Sequence, residues 1–234
     1  MSPPIAPDDI MSVVYRPDFM KRHHDPLKER LDASGLAQAS QSLGDLIYPL
    51  ITGPEIALLL AEDCLTEMST LRSPAEVAMP IRGFASVGLT HWTGQLAMEA
   101  AIRTLHCSGD FFGQMLNAAG LASTLPEGDY HAFDVLMALP KHSDIKRAFG
   151  GFLNSTEYKR VADTANEMKH RQLVRTTYQV SKPIGEPARS IFFLRPFERD
   201  GVTYPETDPT ALRMIIDELR TRGGAVMDET LAAL

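Results

Sequence analysis

The stretch from Phe84 to Leu121, bounded by Pro80 and Pro126, constrains this chain more than any other feature. Apolar residues recur through it at three- and four-residue spacing, which predicts one long helix or two nearly collinear ones. Gly88, Gly94, Gly109 and Gly113 lie within it and mark kinks or points of close helix approach.

Other segments agree with a helical fold. From Leu27 onward the pattern is helical, and Thr52-Gly53-Pro54-Glu55 reads as a helix start, with Glu55 in its first turn. That helix is expected to run through Ile56, Leu59, Leu60, Cys64 and Leu65 to about Leu71, with Cys64 as a buried, inert thiol. Tyr130 to Leu139 predicts a short helix stopped by Pro140. Glu157 to about Val180 predicts a long one, capped by Asn154 or Ser155. Ser190 to Phe197 is β-rich, Arg199-Asp200-Gly201 is turn chemistry, and Val202-Thr203-Tyr204 fits a return strand. Asp208-Pro209 opens a last helix through Leu212, Ile215, Ile216 and Leu219, ended by Gly223-Gly224 and followed by a short helical tail.

The expected fold class is therefore mainly α, an up-and-down helical bundle with a small C-terminal β-hairpin. An extended N-terminal arm over 1–26 precedes a single helical domain over 27–234. Its bundle core covers about 52–180, its hairpin about 190–204 and its C-terminal helix about 209–222.

Composition narrows the functional classes. The 234 residues are 44% hydrophobic and 23% charged, ordinary for a globular chain. No stretch offers the roughly 18 uncharged apolar residues of a bilayer span, so no membrane association is expected. The acidic, proline-rich opening differs from a secretory leader, and Cys64 and Cys107 form no CxxC pair, so a reduced, cytoplasmic setting is expected. A net charge of −7 argues against a general nucleic-acid coat and leaves room for a local basic site. His23-His24 beside Asp25 lacks further ligands at metal-site spacing, and neither metal nor cofactor is expected.

The chemistry is concentrated in two places. Arg103, His106, Asp110, Gln114 and Asn117 are spaced by three, four, four and three, so they line one face of the long helix. Leu105, Phe111, Phe112, Met115 and Leu116 surround them, so this polar stripe needs matching polar partners. The later helix offers Asn166 and His170, four apart. Between Lys159 and Arg175 there are five basic residues (Lys159, Arg160, Lys169, Arg171, Arg175) against two acidic ones (Asp163, Glu167). Two readings compete. In one, His106, Asp110, Asn117, Asn166 and His170 satisfy one another as a packing network. In the other, His170 is a general base or acid, Asn166 orients it or a phosphate, and Lys169, Arg171 and Arg175 hold anionic charge.

Two strings together, His106-Cys-Ser-Gly-Asp-Phe-Phe-Gly-Gln-Met-Leu-Asn117 and Asn166-Glu-Met-Lys-His-Arg-Gln-Leu173, resemble the helical HEPN superfamily over about residues 55–180. The resemblance implies an up-and-down bundle that forms a homodimer, acts on RNA or a nucleotide, and serves bacterial stress or defence, including toxin–antitoxin systems. It implies a metal-independent endoribonuclease with His170 as catalytic histidine and Asn166 as the polar residue ahead of it. Such a site needs a base, a proton donor and cationic stabilisation, because RNA carries its own 2′-hydroxyl nucleophile. In active members an arginine stands four to six residues before the histidine. Here those positions hold Asn166, Ala165 and Thr164. The alternative is a non-catalytic helical module that binds a protein partner or dimerises, with the polar stripe as a structural device.

Overall fold

A computed structural model describes residues 14–69, 82–122, 125, 131–170, 176–181 and 189–234. Seven helices lie among them. Helix α1 covers 17–33, made of Pro17–Phe19, a π-helical turn Met20–His24, and Asp25–Ala33. Helix α2 covers 37–69, made of Ala37–Ile47, a π-helical turn Tyr48–Thr52, and Gly53–Ser69. Then follow α3 (Arg82–Ala118), α4 (Ala132–Ala138), α5 (Asp144–Leu153), α6 (Thr156–His170) and α7 (Pro209–Ala233). Four strands stand between α6 and α7: β1 (Thr176–Ser181), β2 (Arg189–Leu194), β3 (Phe197–Arg199) and β4 (Val202–Tyr204). The mainly α bundle with a small β appendage is thus the observed class.

Both π-helical turns have a proline at hand, Pro26 two residues past the first and Pro49 inside the second. A proline has no N–H to donate, and its ring crowds the carbonyl four residues back; widening the turn moves that carbonyl aside. The chain therefore arrives at Thr52-Gly53-Pro54-Glu55 already helical, and the expected start there is corrected to a continuation. The arm is corrected as well. Residues 17–26 are helical rather than extended, because Phe19 and Met20 pack on the core. Residues 1–13 lie outside the described residues.

Helix α3 is the axis of the core, as its apolar spacing predicts. Met98, Ala101, Ile102, Leu105, Phe112, Met115 and Leu116 are all buried along it. Leu43, Leu46, Leu50 and Leu58 of α2 cover one side, and Leu212, Ile216, Leu219 and Val226 of α7 close another. The run Ala37–Thr66 is long and apolar enough to cross a bilayer, its 18-residue window having a mean hydropathy of 1.4, although Asp45, Glu55, Glu62 and Asp63 break it into shorter uncharged stretches. Its most apolar window is 56% buried inside the fold, so it serves here as a core helix.

Two helix ends differ from expectation. Asp208 caps α7 by accepting from the Ala211 N–H at 2.7 Å, as the sequence suggests, but the helix passes through Gly223-Gly224 and ends at Ala233. These glycines are close contacts instead of a stop: a Cβ on Gly223 would lie 2.8 Å from Leu50 Cδ2, and one on Gly224 3.1 Å from the His23 ring. Helix α6 is described to His170, and Thr176 already lies in a strand, so the helix does not reach Val180. Its expected last turns include Thr176-Thr177-Tyr178-Gln179-Val180, a β-branched and aromatic run that pairs with β2 in antiparallel register from Thr176↔Leu194 to Ser181↔Arg189. The expected return strand is correct for the second hairpin: β3 pairs with β4 around Asp200-Gly201, both with positive φ (50° and 78°). An isolated bridge between Leu194 and Thr207 ties the first hairpin to the approach to α7.

Candidate functional site

The seam between α3 and α6 carries the residues singled out in the sequence. Helix α6 begins at a Ser155 cap, whose hydroxyl accepts from the Tyr158 N–H at 3.1 Å. That cap places Tyr158 in the first turn, where its buried ring lies over Gly109 of α3. The Tyr158 hydroxyl donates to the His106 carbonyl at 3.0 Å, and the ring centroid stands 5.1 Å from Phe152 and 6.3 Å from His106. Burial pushes the phenol well above its ordinary value, helped by the nearby charges of Asp110 and Cys107, so it remains a proton donor at any ordinary pH. Replacing Tyr158 with phenylalanine removes one buried hydrogen bond, and urea unfolding is expected to show a loss of about 1 kcal/mol.

The polar stripe divides here. His106 is half-buried, and burial lowers its pKa; Asp110 opposes that shift and Lys169 adds to it, leaving a neutral imidazole at pH 7. Asp110 turns to α4, where its carboxylate accepts from the Ala132 N–H at 3.1 Å and so satisfies an orphan donor of the helix start. Asn117 is half-buried, while Gln114 is exposed. Arg103 is exposed and lines a groove of about 320 Å³ with Asp45, Tyr48, Pro49, Thr104, Cys107 and Phe111. Cys107 is exposed there, yet partial burial and the Asp110 charge raise its thiol above the usual range, which disfavours a reactive thiolate. Cys64 is buried, as expected.

The sequence stripe is therefore real as a helix face, and one member of it, Asp110, is met by a backbone group, the Ala132 N–H, while the Tyr158 hydroxyl bonds the main-chain carbonyl of His106 rather than its ring. On α6, Asn166 is half-buried and Lys169 exposed, and Lys169 lies close enough to act on His106. The His170 backbone is the last described residue of α6; its side chain, together with Arg171 and Arg175, lies outside the described residues.

Arg160 leaves the basic cluster. Its guanidinium donates to the Pro205 and Glu206 carbonyls, both at 2.9 Å, and to the Thr207 hydroxyl at 2.6 Å. Asp163 accepts from the Tyr204 hydroxyl and pairs with Arg199 at 3.3 Å. These contacts fasten α6 to the β4–α7 connection. His23 and His24 each face an aspartate: His23 Nδ1 lies 2.7 Å from Asp228, and His24 Nδ1 2.9 Å from Asp25.

A second constellation has no counterpart in the sequence reading. Glu55 is fully buried, and its carboxylate accepts from Arg220 at 2.6 Å and Arg16 at 2.7 Å, with Arg213 at 3.5 Å. Arg213 also holds both oxygens of Glu62 at 3.0 Å, and Arg220 reaches Asp217 at 2.9 Å. Burial alone pushes the Glu55 carboxyl up, but the hydrogen bonds from Arg16 and Arg220 and their charges outweigh it and hold the pKa below the ordinary glutamate range. Arg16 keeps a left-handed backbone (φ 45°), a costly conformation for a non-glycine residue.

No family model matches this chain, and neither a curated protein nor a solved structure is similar to it.

Proposed function

We propose that this helical bundle is a HEPN-like module that acts on RNA, cleaving it without a metal through His170 and Asn166. The supporting observation is the anchoring of α6. Ser155 and Tyr158 lock its first turn onto α3, and Arg160 fastens its middle, so Asn166, Lys169 and His170 follow on the last turns of a rigid rod. His170 takes the 2′-hydroxyl proton as that oxygen attacks the adjacent phosphorus; the P–O5′ bond breaks to leave a 2′,3′-cyclic phosphate, and the 5′-oxygen leaves with a proton from water, while Asn166 positions the phosphate and Lys169, with Arg171 and Arg175, offsets its charge. A bacterial stress or defence role follows from the resemblance.

The test is cleavage of a mixed-sequence RNA in EDTA. His170→Ala is expected to lower the rate by roughly 10²-fold or more, with helicity by circular dichroism unchanged. Cleavage that persists unchanged in His170→Ala overturns the catalytic assignment.

One observation favours the second reading, RNA or nucleotide binding without cleavage. Arg160 is committed to backbone carbonyls, and the positions four to six before His170 carry no arginine. In that case the protein binds RNA with an affinity that falls steeply with salt, and no cleavage occurs in wild type or variant.

A further inference from the structure

Helices α2 and α3 form an antiparallel hairpin. Gly53 lies against Thr104, and Asp45 to Pro49 share a groove with Arg103 to Phe111, so lower numbers on α2 meet higher numbers on α3. One wall of the groove is Asp45, Tyr48 and Pro49, three and four residues apart on α2. The other is Arg103, Cys107 and Phe111, four apart on α3. Tyr48 is 62% exposed, yet its ring is held in place: a Cβ on Gly53 would lie 3.2 Å from Tyr48 Cζ, so the glycine makes room for the ring against the helix. The groove holds about 320 Å³, at the lower end of the range of about 300–1,000 Å³ typical of small-molecule sites.

Its two charges stand at opposite ends. Counting from the Gly53–Thr104 contact puts Asp45 near the level of Phe111, about 12 Å along the hairpin from Arg103. Both side chains are exposed, and neither makes an ion pair or hydrogen bond among the described residues. Between them the walls are uncharged, being the Tyr48 ring, Pro49, Phe111 and the Cys107 thiol. Thr104 donates its hydroxyl proton to the Ala100 carbonyl at 2.5 Å, so toward the groove it presents an acceptor. The matching occupant has a cation at one end, an anion at the other, and apolar atoms with an N–H donor between. A single amino acid carries both charges on one carbon and cannot meet both ends, and a nucleotide offers Asp45 no cation. A peptide of three residues spans about 10–11 Å when extended, with an α-ammonium and an α-carboxylate at its ends.

We propose that this groove binds a short peptide with free ends, about three residues long, its α-ammonium on Asp45, its α-carboxylate on Arg103 and an apolar middle side chain against Tyr48, Pro49 and Phe111. The proposal stands apart from the RNA reading, since it uses neither His170 nor Asn166. An arginine fork grips a carboxylate through two parallel hydrogen bonds, and an aspartate accepts from an ammonium. The middle side chain takes the Tyr48 and Phe111 rings out of water. Length and charge together set the register, so both free ends of the ligand are needed.

Calorimetric titration of the full chain with the tripeptide Ala-Leu-Ala tests it, read together with the rate at which iodoacetamide alkylates Cys107, which is exposed while Cys64 is buried. Wild type is expected to bind with a Kd at or below about 1 mM, and Cys107 alkylation is expected to slow as the groove fills. Acetylating the N-terminus of the peptide, or amidating its C-terminus, weakens binding at least several-fold. Asp45→Asn weakens binding of the free peptide and no longer distinguishes it from the acetylated one; Arg103→Gln does the same for the amidated one. Both side chains are exposed, so circular dichroism of these variants is expected to match wild type. Absence of binding at several millimolar peptide overturns the proposal. So does equal or tighter binding of the peptide blocked at both ends, which identifies an internal stretch of a protein chain as the occupant. Binding that leaves Cys107 alkylation unchanged also overturns it, because the peptide then sits elsewhere.

Discussion

Replacing Glu55 with alanine is expected to destabilise the chain by about 3–5 kcal/mol, the largest effect of any single change considered. The carboxylate is fully buried, and its loss strands Arg220, itself 8% exposed, with Asp217 as its remaining counter-charge. Arg16 loses its partner too, and with it what holds the left-handed turn before α1. Glu55→Gln keeps hydrogen-bond acceptance but removes the charge, so an intermediate loss is expected. Glu62→Ala is the control, because that carboxylate is 40% exposed and its pair contributes less than about 1 kcal/mol. Acidity gives a second readout. The folded-state pKa of Glu55 is depressed, so its contribution is fully present above the unfolded value near ~4.3 and is lost as pH falls through the folded value. Urea unfolding of wild type should show that loss below about pH 4, while Glu55→Ala should lack that component.

Gly109→Ala comes second. A Cβ there would lie 2.1 Å from Tyr158 Oη, 2.7 Å from Tyr158 Cζ and 3.1 Å from Leu153 Cδ2. The Tyr158 ring cannot simply swing aside, being packed on Phe152 and hydrogen-bonded to the His106 carbonyl. Helices α3 and α6 must separate, at an expected cost of about 1–3 kcal/mol in urea unfolding. That loss appears despite the helix preference of alanine over glycine, about 1 kcal/mol in the opposite direction. Gly223→Ala gives a useful contrast, since its nearest neighbour is the branched end of Leu50, which can rotate, and a smaller loss is expected. The closest atom at Gly109 is the tyrosine oxygen. Adding Tyr158→Phe to Gly109→Ala should therefore cost less than the two single changes summed.

The parts of this fold that were legible in the sequence share one property: their signals are local. The apolar period of α3, the Asp208 cap, the turn at Asp200-Gly201 and the close approach at Gly109 all depend on residues within a few positions or on the special backbone of glycine. Errors arose where one local signal had two physical meanings. Gly223-Gly224 read as a helix stop because glycine disfavours helix, yet each glycine admits a neighbouring side chain. Lys169, Arg171 and Arg175 suit a helix C-terminus, which drew the expected α6 on into the β-branched segment that begins at Thr176.

The site was legible in a narrower sense. Helical spacing correctly grouped His106 and Asp110 on one face, but Asp110 meets a backbone N–H and the Tyr158 hydroxyl meets the main-chain carbonyl of His106, and main-chain groups leave no mark in residue types. Glu55 shows the limit most clearly. Its sequence neighbourhood says only that an acid occupies a first turn, while its partners Arg16 and Arg220 stand 39 and 165 positions away.

That same separation orders the assembly of the chain. The α2–α3 hairpin rests on contacts between helices adjacent in the chain, whereas α7 must return from the far end of the chain to supply Arg220. Until it arrives, Glu55 keeps its water and the half-formed bundle keeps an open, charged seam. The carboxylate thus works as a molecular latch, which favours the state in which both terminal helices are in place over any compact state lacking one of them.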